Sequence, residues 1–121
     1  MNLDNAFTKS PTELNAELTT ATDMTPVRQP VPVFLATGLA DRTMPARRQY
    51  AAAAALCATG SKVVRRAYPG ISHNGIVSAA FDDELTFVQQ VLGAKPIASN
   101  CEQLTPPGPP EKATAGLQLN D

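Results

Sequence analysis

The stretch VPVFLATGLADRTMP, residues 31–45, decides the fold. Residues 31–37 form an apolar run bounded by Pro30 and Gly38, the pattern of a short buried strand. Pro32 lies near its start, where a missing N–H matters least. Residues 38–44 read as a loop, and Pro45 then opens a helix at its first position. Residues 46–59 are almost all strong helix formers, and Gly60 is a natural stop. A second strand is expected over KVVRRAY, residues 62–68, ended by Pro69 and Gly70. Its β-branched pair favours a strand, and its arginines imply that one end or one face meets water. ISHNG, residues 71–75, is a loop. A second helix should follow over residues 76–92, where Val77, Phe81, Leu85, Val88 and Leu92 make one apolar stripe at helical period.

Strand, helix, strand, helix implies an α/β fold with a parallel sheet and right-handed crossovers. Two strands make a poor sheet, because parallel strands are normally flanked by others and covered on both faces. The expected architecture is therefore an incomplete α/β unit over residues 30–101. Residues 1–29 are polar, Thr-rich and mostly irregular, apart from a short helix at SPTELNAEL. There Ser10 can cap, Pro11 suits the first turn and Glu13 completes a capping box. Residues 102–121 contain PPGPP and little that is apolar, and are expected to be a disordered tail.

Ten basic residues oppose eleven acidic ones, and a net charge of −1 argues against nucleic acid or an anionic membrane surface as partner. Arg47/Arg48 and Arg65/Arg66 are the basic clusters, each read as a solvated face. No apolar run approaches the ~18 residues of a transmembrane helix. The opening residues lack the charged-then-apolar layout of a signal peptide. Hydrophobic content is 43%, but much of it is alanine, so the foldable part buries only a modest core.

In open α/β sheets, functional residues gather after the carboxyl ends of the strands. Asp41 lies in the loop after the first strand, and His73 in the loop after the second. Adjacent parallel strands open both loops on one edge, where a carboxylate can fix the tautomer of an imidazole and stabilise its protonated form. One histidine and scattered carboxylates provide no metal-ligand set, and no cofactor is expected. The two cysteines, Cys57 and Cys101, leave open separate buried thiols or a bridge.

PVFLATGLADRTMP resembles the late strand and acid loop of α/β-hydrolases, an apolar strand followed by G-x-x-D-x-x-V-P, with Met44 where valine is common. AYPGISHNG, residues 67–75, resembles their last strand and histidine loop. The family's order is nucleophile, acid, histidine. The resemblance covers residues 31–101 and implies that Asp41 is the triad acid and His73 the general base. LCATG and GAKPIASNC place Cys57 and Cys101 where secreted lipases and esterases of this fold often carry a disulfide. That implies a Cys57–Cys101 bridge and an oxidising, secreted or periplasmic compartment for the parent protein.

No serine of the chain stands in G-x-S-x-G: Ser10, Ser61, Ser72, Ser78 and Ser99 all lie in other contexts. The elbow and its oxyanion-hole amides are missing. The expectation is the C-terminal part of a serine carboxylic-ester hydrolase, inactive alone. Its substrate when complete would be an ester or lipid, and its partner a chain carrying the nucleophile half. Residues 1–29 would then be lid remnant or unrelated sequence. A non-catalytic interaction module, docking by its open sheet edges, is a second reading. A third is a different small α/β domain in which Asp41 and His73 are ordinary loop residues.

Overall fold

The computed structural model describes residues 8–22 and 26–114. Its elements run α1 (Pro11–Thr22), β1 (Val33–Gly38), α2 (Ala46–Ala58), β2 (Val63–Tyr68), α3 (Gly75–Ala79) and α4 (Phe81–Leu92), followed by a 3₁₀ turn at Cys101–Gln103. The two strands pair in parallel, with Val33 opposite Val63 and Gly38 opposite Tyr68. The chain is thus mixed α/β with a two-stranded parallel sheet.

Local chemistry accounts for most boundaries. The capping box forms at α1: the Ser10 N–H donates to Glu13 Oε2 at 2.8 Å, and the Glu13 N–H donates to Ser10 Oγ at 3.3 Å. This helix continues to Thr22, beyond the short segment expected of an irregular N-terminal region. Pro45 sits one place earlier than expected, as the N-cap of α2 with extended backbone. Gly60 takes φ +81 just past the end of α2, a conformation that favours glycine.

The core is small. Ala40, Ala53, Val63, Ile71 and Ala80 are its buried apolar residues, and three of them are alanines. Alanine lets α2 lie close on the sheet but buries little area. Other interactions must therefore carry more of the load. The outer edge of β2 is one. Ser99 Oγ donates to Val63 O at 2.9 Å, and the Val63 N–H donates to Ser99 Oγ at 3.3 Å. Two residues along, the Asn100 amide accepts from Arg65 N at 2.9 Å and donates to Arg65 O at 2.7 Å. These side chains satisfy the edge groups that a further strand would pair. Cys101 then bridges to Cys57 at the end of α2, closing a loop of sequence separation 44.

Three features depart from the sequence expectations. The single second helix is two, bent at the fully buried Ala80. Asp82, Asp83 and Glu84 fill the first turn of α4, where negative charge favours a helix start. The apolar stripe does not face the sheet: Phe81 and Leu92 are 59% and 82% exposed. Instead α4 packs through Phe87, whose ring centroid lies 5.4 Å from that of Phe34. Asp83 fixes that rotation by accepting from Arg66 Nη1 at 2.6 Å and from the Tyr68 hydroxyl at 2.7 Å. Burial, and then the bond to Asp83, push the Tyr68 hydroxyl pKa up. Finally, Arg65 is buried rather than solvated. Strand alternation turns it toward α2, opposite to Arg66, and its guanidinium lies 5.7 Å from the Tyr50 ring centroid. Burial lowers its pKa.

The tail is also ordered further than its composition implies. Past Gln103 it has no regular secondary structure, yet Glu111 N donates to Leu39 O at 3.1 Å and Thr114 N to Gly70 O at 2.8 Å. The expected disorder therefore fails for residues 104–114, because loop groups at the sheet's end offer them partners. Residues 115–121 lie outside the described residues, as do 1–7 and 23–25. Among the described residues, no helix is long and apolar enough to cross a membrane.

With so small a core, the disulfide should be a large share of the stability. Replacing both cysteines with alanine is expected to lower the unfolding free energy by about 3–4 kcal/mol, read by urea denaturation at matched pH. A loss below ~1 kcal/mol would contradict this account.

Candidate active site

Parallel pairing brings the ends of β1 and β2 to one edge, and the following loops are laced together there. Leu39 N donates to Tyr68 O and Ala40 N to Ile71 O, each at 3.0 Å. The loops can approach this closely because position 38 is glycine. A Cβ there would sit 2.4 Å from Ile71 O, inside any tolerable contact. The Asp41 N–H turns back to Gly38 O at 3.3 Å, aiming the side chain into the space between the loops.

Asp41 is buried, at 5% exposure. A buried carboxylate is costly unless donors surround it, and three do. Met44 N donates to Oδ1 at 2.8 Å, Gln49 Nε2 to Oδ2 at 3.2 Å, and His73 Nδ1 lies 3.0 Å from Oδ2. Since a carboxylate only accepts, the hydrogen of this last bond belongs to Nδ1. In the neutral imidazole Nε2 is then left bare as the acceptor. The His73 side chain is 46% exposed, so Nε2 can meet an incoming group. The arrangement can take a proton at Nε2 while Asp41 stabilises the resulting imidazolium.

The sequence singled out Asp41, His73, Cys57 and Cys101, and the structure brings them together as two pairs, one hydrogen-bonded and one disulfide-bonded. Gln49 was not foreseen. From the first turns of α2 it bridges Asp41 Oδ2 and Met44 O, the latter at 2.7 Å. A glutamine placed four residues after the loop proline was the available signal. Ser72, though next to His73, is buried and its Oγ accepts from Gly75 N at 3.3 Å at the start of α3. Ser61 Oγ accepts from Gln29 N, Ser99 Oγ accepts from Val63 N, and Cys57 is held in the disulfide. Among the described residues Asp41 is the side chain bonded to His73, and no cluster could hold a metal ion.

A cavity of about 560 Å³ opens beside Asp41, walled by Leu39, Pro45, Arg47 and the prolines of the tail. His73 does not line it. The cavity thus touches the acid of the pair and not its histidine.

Two substitutions probe this geometry. Asp41→Asn keeps the shape but offers an NH₂, which should move the imidazole proton from Nδ1 to Nε2. The single histidine makes its ¹⁵N ring shifts an unambiguous readout of that switch. Gly38→Ala must push the loops apart, with an expected cost of about 1–3 kcal/mol by thermal or urea unfolding. An alanine variant of unchanged stability would mean that the loops do not cross so tightly.

Comparison with protein-family models, with curated proteins and with solved structures finds no match for this chain.

Proposed function

We propose that this chain is the C-terminal part of a serine carboxylic-ester hydrolase of the α/β-hydrolase superfamily, supplying the triad acid Asp41 and the general base His73. The observation that carries the reading is the 3.0 Å contact between His73 Nδ1 and Asp41 Oδ2 at the carboxyl edge of a parallel sheet. In the complete enzyme a serine from outside these residues gives its hydroxyl proton to His73 Nε2 and attacks an ester carbonyl. His73 later returns that proton to the leaving alcohol, and Asp41 holds the ring throughout. The substrate class is an ester or lipid. The Cys57–Cys101 bridge supports an oxidising, secreted or periplasmic setting for the parent. Residues 1–29 fit a lid remnant in this scheme.

An interaction module is the second reading, favoured by the exposed stripe of Val77, Phe81, Leu85, Val88 and Leu92. The two readings differ in what docks. A nucleophile-bearing partner serves the first, and an unrelated protein the second.

The chain alone is expected to give no turnover of p-nitrophenyl esters above buffer. The coding sequence directly upstream, or a co-expressed partner, should supply G-x-S-x-G, and the assembled protein should hydrolyse such esters. His73→Ala in that assembly should lower kcat by ~10³-fold or more, leaving only what the oxyanion hole and binding supply. Robust esterase activity of the isolated chain, lost with His73→Ala, would overturn the absence of a nucleophile.

A further inference from the structure

The tail returns across the carboxyl edge of the sheet and contacts both loops of the pair. Its Glu111 N–H donates to Leu39 O at 3.1 Å, in the loop that carries Asp41. The carboxylate of the same residue accepts from Gly70 N at 2.6 Å, in the turn that leads to His73. Thr114 N then donates to Gly70 O at 2.8 Å. One residue, Glu111, therefore spans the two loops, and the peptide groups on both sides of Gly70 are occupied by the tail.

The fit at Gly70 is close. This glycine is buried with φ +67, and a Cβ built on it would lie 2.2 Å from Thr114 Oγ1. The tail lies where a side chain at position 70 would be. Its approach is also stiff. Pro106, Pro107, Pro109 and Pro110 precede Glu111, and prolines of this kind favour extended backbone with little entropy left to lose on docking. They carry no N–H that burial would leave unpaired. Residues 107–110 wall the cavity beside Asp41, which His73 does not line.

We propose that residues 107–114 form a strap that clamps the acid loop to the histidine loop, with Glu111 as a positioning residue for the Asp41–His73 pair. The loops have two direct backbone bonds of their own, Leu39 to Tyr68 and Ala40 to Ile71. The first meets the histidine loop before Gly70, at the end of β2, and the second just after it, at Ile71. The strap adds a further link at Gly70, between those two bonds and three residues before His73. The Glu111 side chain gives Gly70 N a directed acceptor. It restrains the turn from which the imidazole reaches Asp41. Thr114 fixes the opposite side of the same residue. The proposal concerns the geometry of the pair and stands apart from the reaction the pair serves, so its test uses no substrate.

The test is the tautomer of the single histidine, read from ¹⁵N ring shifts of the full-length chain on the alkaline plateau of a pH series. In the native chain the Nδ1–H form should dominate. Glu111→Ala, and a chain ending at Pro106, should raise the Nε2–H form at least twofold and broaden the Nδ1 proton signal, with the amide peaks of β1, β2 and α2 retained. Glu111→Gln should keep the native ratio, because its amide oxygen still accepts from Gly70 N. A merely structural tail would alter unfolding but not the tautomer in the folded protein. Native tautomer ratios in both Glu111→Ala and the shortened chain would overturn the proposal. So would an equal loss in Glu111→Gln, which would point to charge rather than the bond. Should Glu111→Ala lose its folded amide pattern, Glu111→Asp, one methylene too short for Gly70, provides the same comparison.

Discussion

A carboxylate as deeply buried as Asp41 must be met by donors, and that requirement organises the whole carboxyl edge of the sheet. Met44 N comes from the loop, Gln49 from α2 and His73 from the second loop. Each must be in place for the carboxylate to be tolerated there. Removing one leaves a polar group unpaired in a low-dielectric site, which costs more than the lost bond is worth. The start of α2, the crossing at Gly38 and the ring orientation of His73 are thus consequences of one burial.

The body of the fold cannot supply this precision by packing alone. Its core rests on alanines, with Val63 and Thr37 as the largest fully buried side chains. Covalent and polar ties take over. The Cys57–Cys101 bridge holds the end of α2 to the segment that carries Ser99 and Asn100, and those two side chains close the outer edge of β2. Asp83 ties α4 to the end of β2 through Arg66 and Tyr68. Removing a tie in such a fold disturbs more than its own neighbourhood, because little apolar packing remains to resist.

Where a signal was local, the sequence was legible. The strands, α2 and its glycine stop, and the Ser10–Glu13 box all follow from propensity, capping and period within a few residues. The placement of Asp41 and His73 was legible too, since parallel strands force their loops onto one edge. Pairing of the cysteines came from resemblance, not from spacing. What failed depended on contacts distant along the chain. The rotation of α4 is set by Asp83 meeting β2, against the apolar period of its own sequence. Arg65 is buried because strand alternation turns it toward Tyr50. Glu111 had no pattern of its own, being an ordinary polar residue until the loops it meets are in place, and Gln49 was marked only by its distance from the loop proline.

The two edges of the sheet are not equivalent, and the difference bears on how the chain is used. The edge of β2 is closed by the chain's own Ser99 and Asn100. On β1, the ladder to β2 uses Val33 N and the groups in alternation with it, so the N–H and C=O of Phe34 and Ala36 point outward. Among the described residues nothing pairs with them. An open edge on one strand beside a self-capped edge on the other suits a sheet that ends at β2 and continues past β1. In the proposed enzyme the strands bearing the nucleophile join on that open side, next to the strand whose loop carries Asp41. In strand order β1 would then lie between β2 and the arriving half, while its loop still leaves His73 Nε2 for the serine, so closing the sheet and completing the triad would be one event.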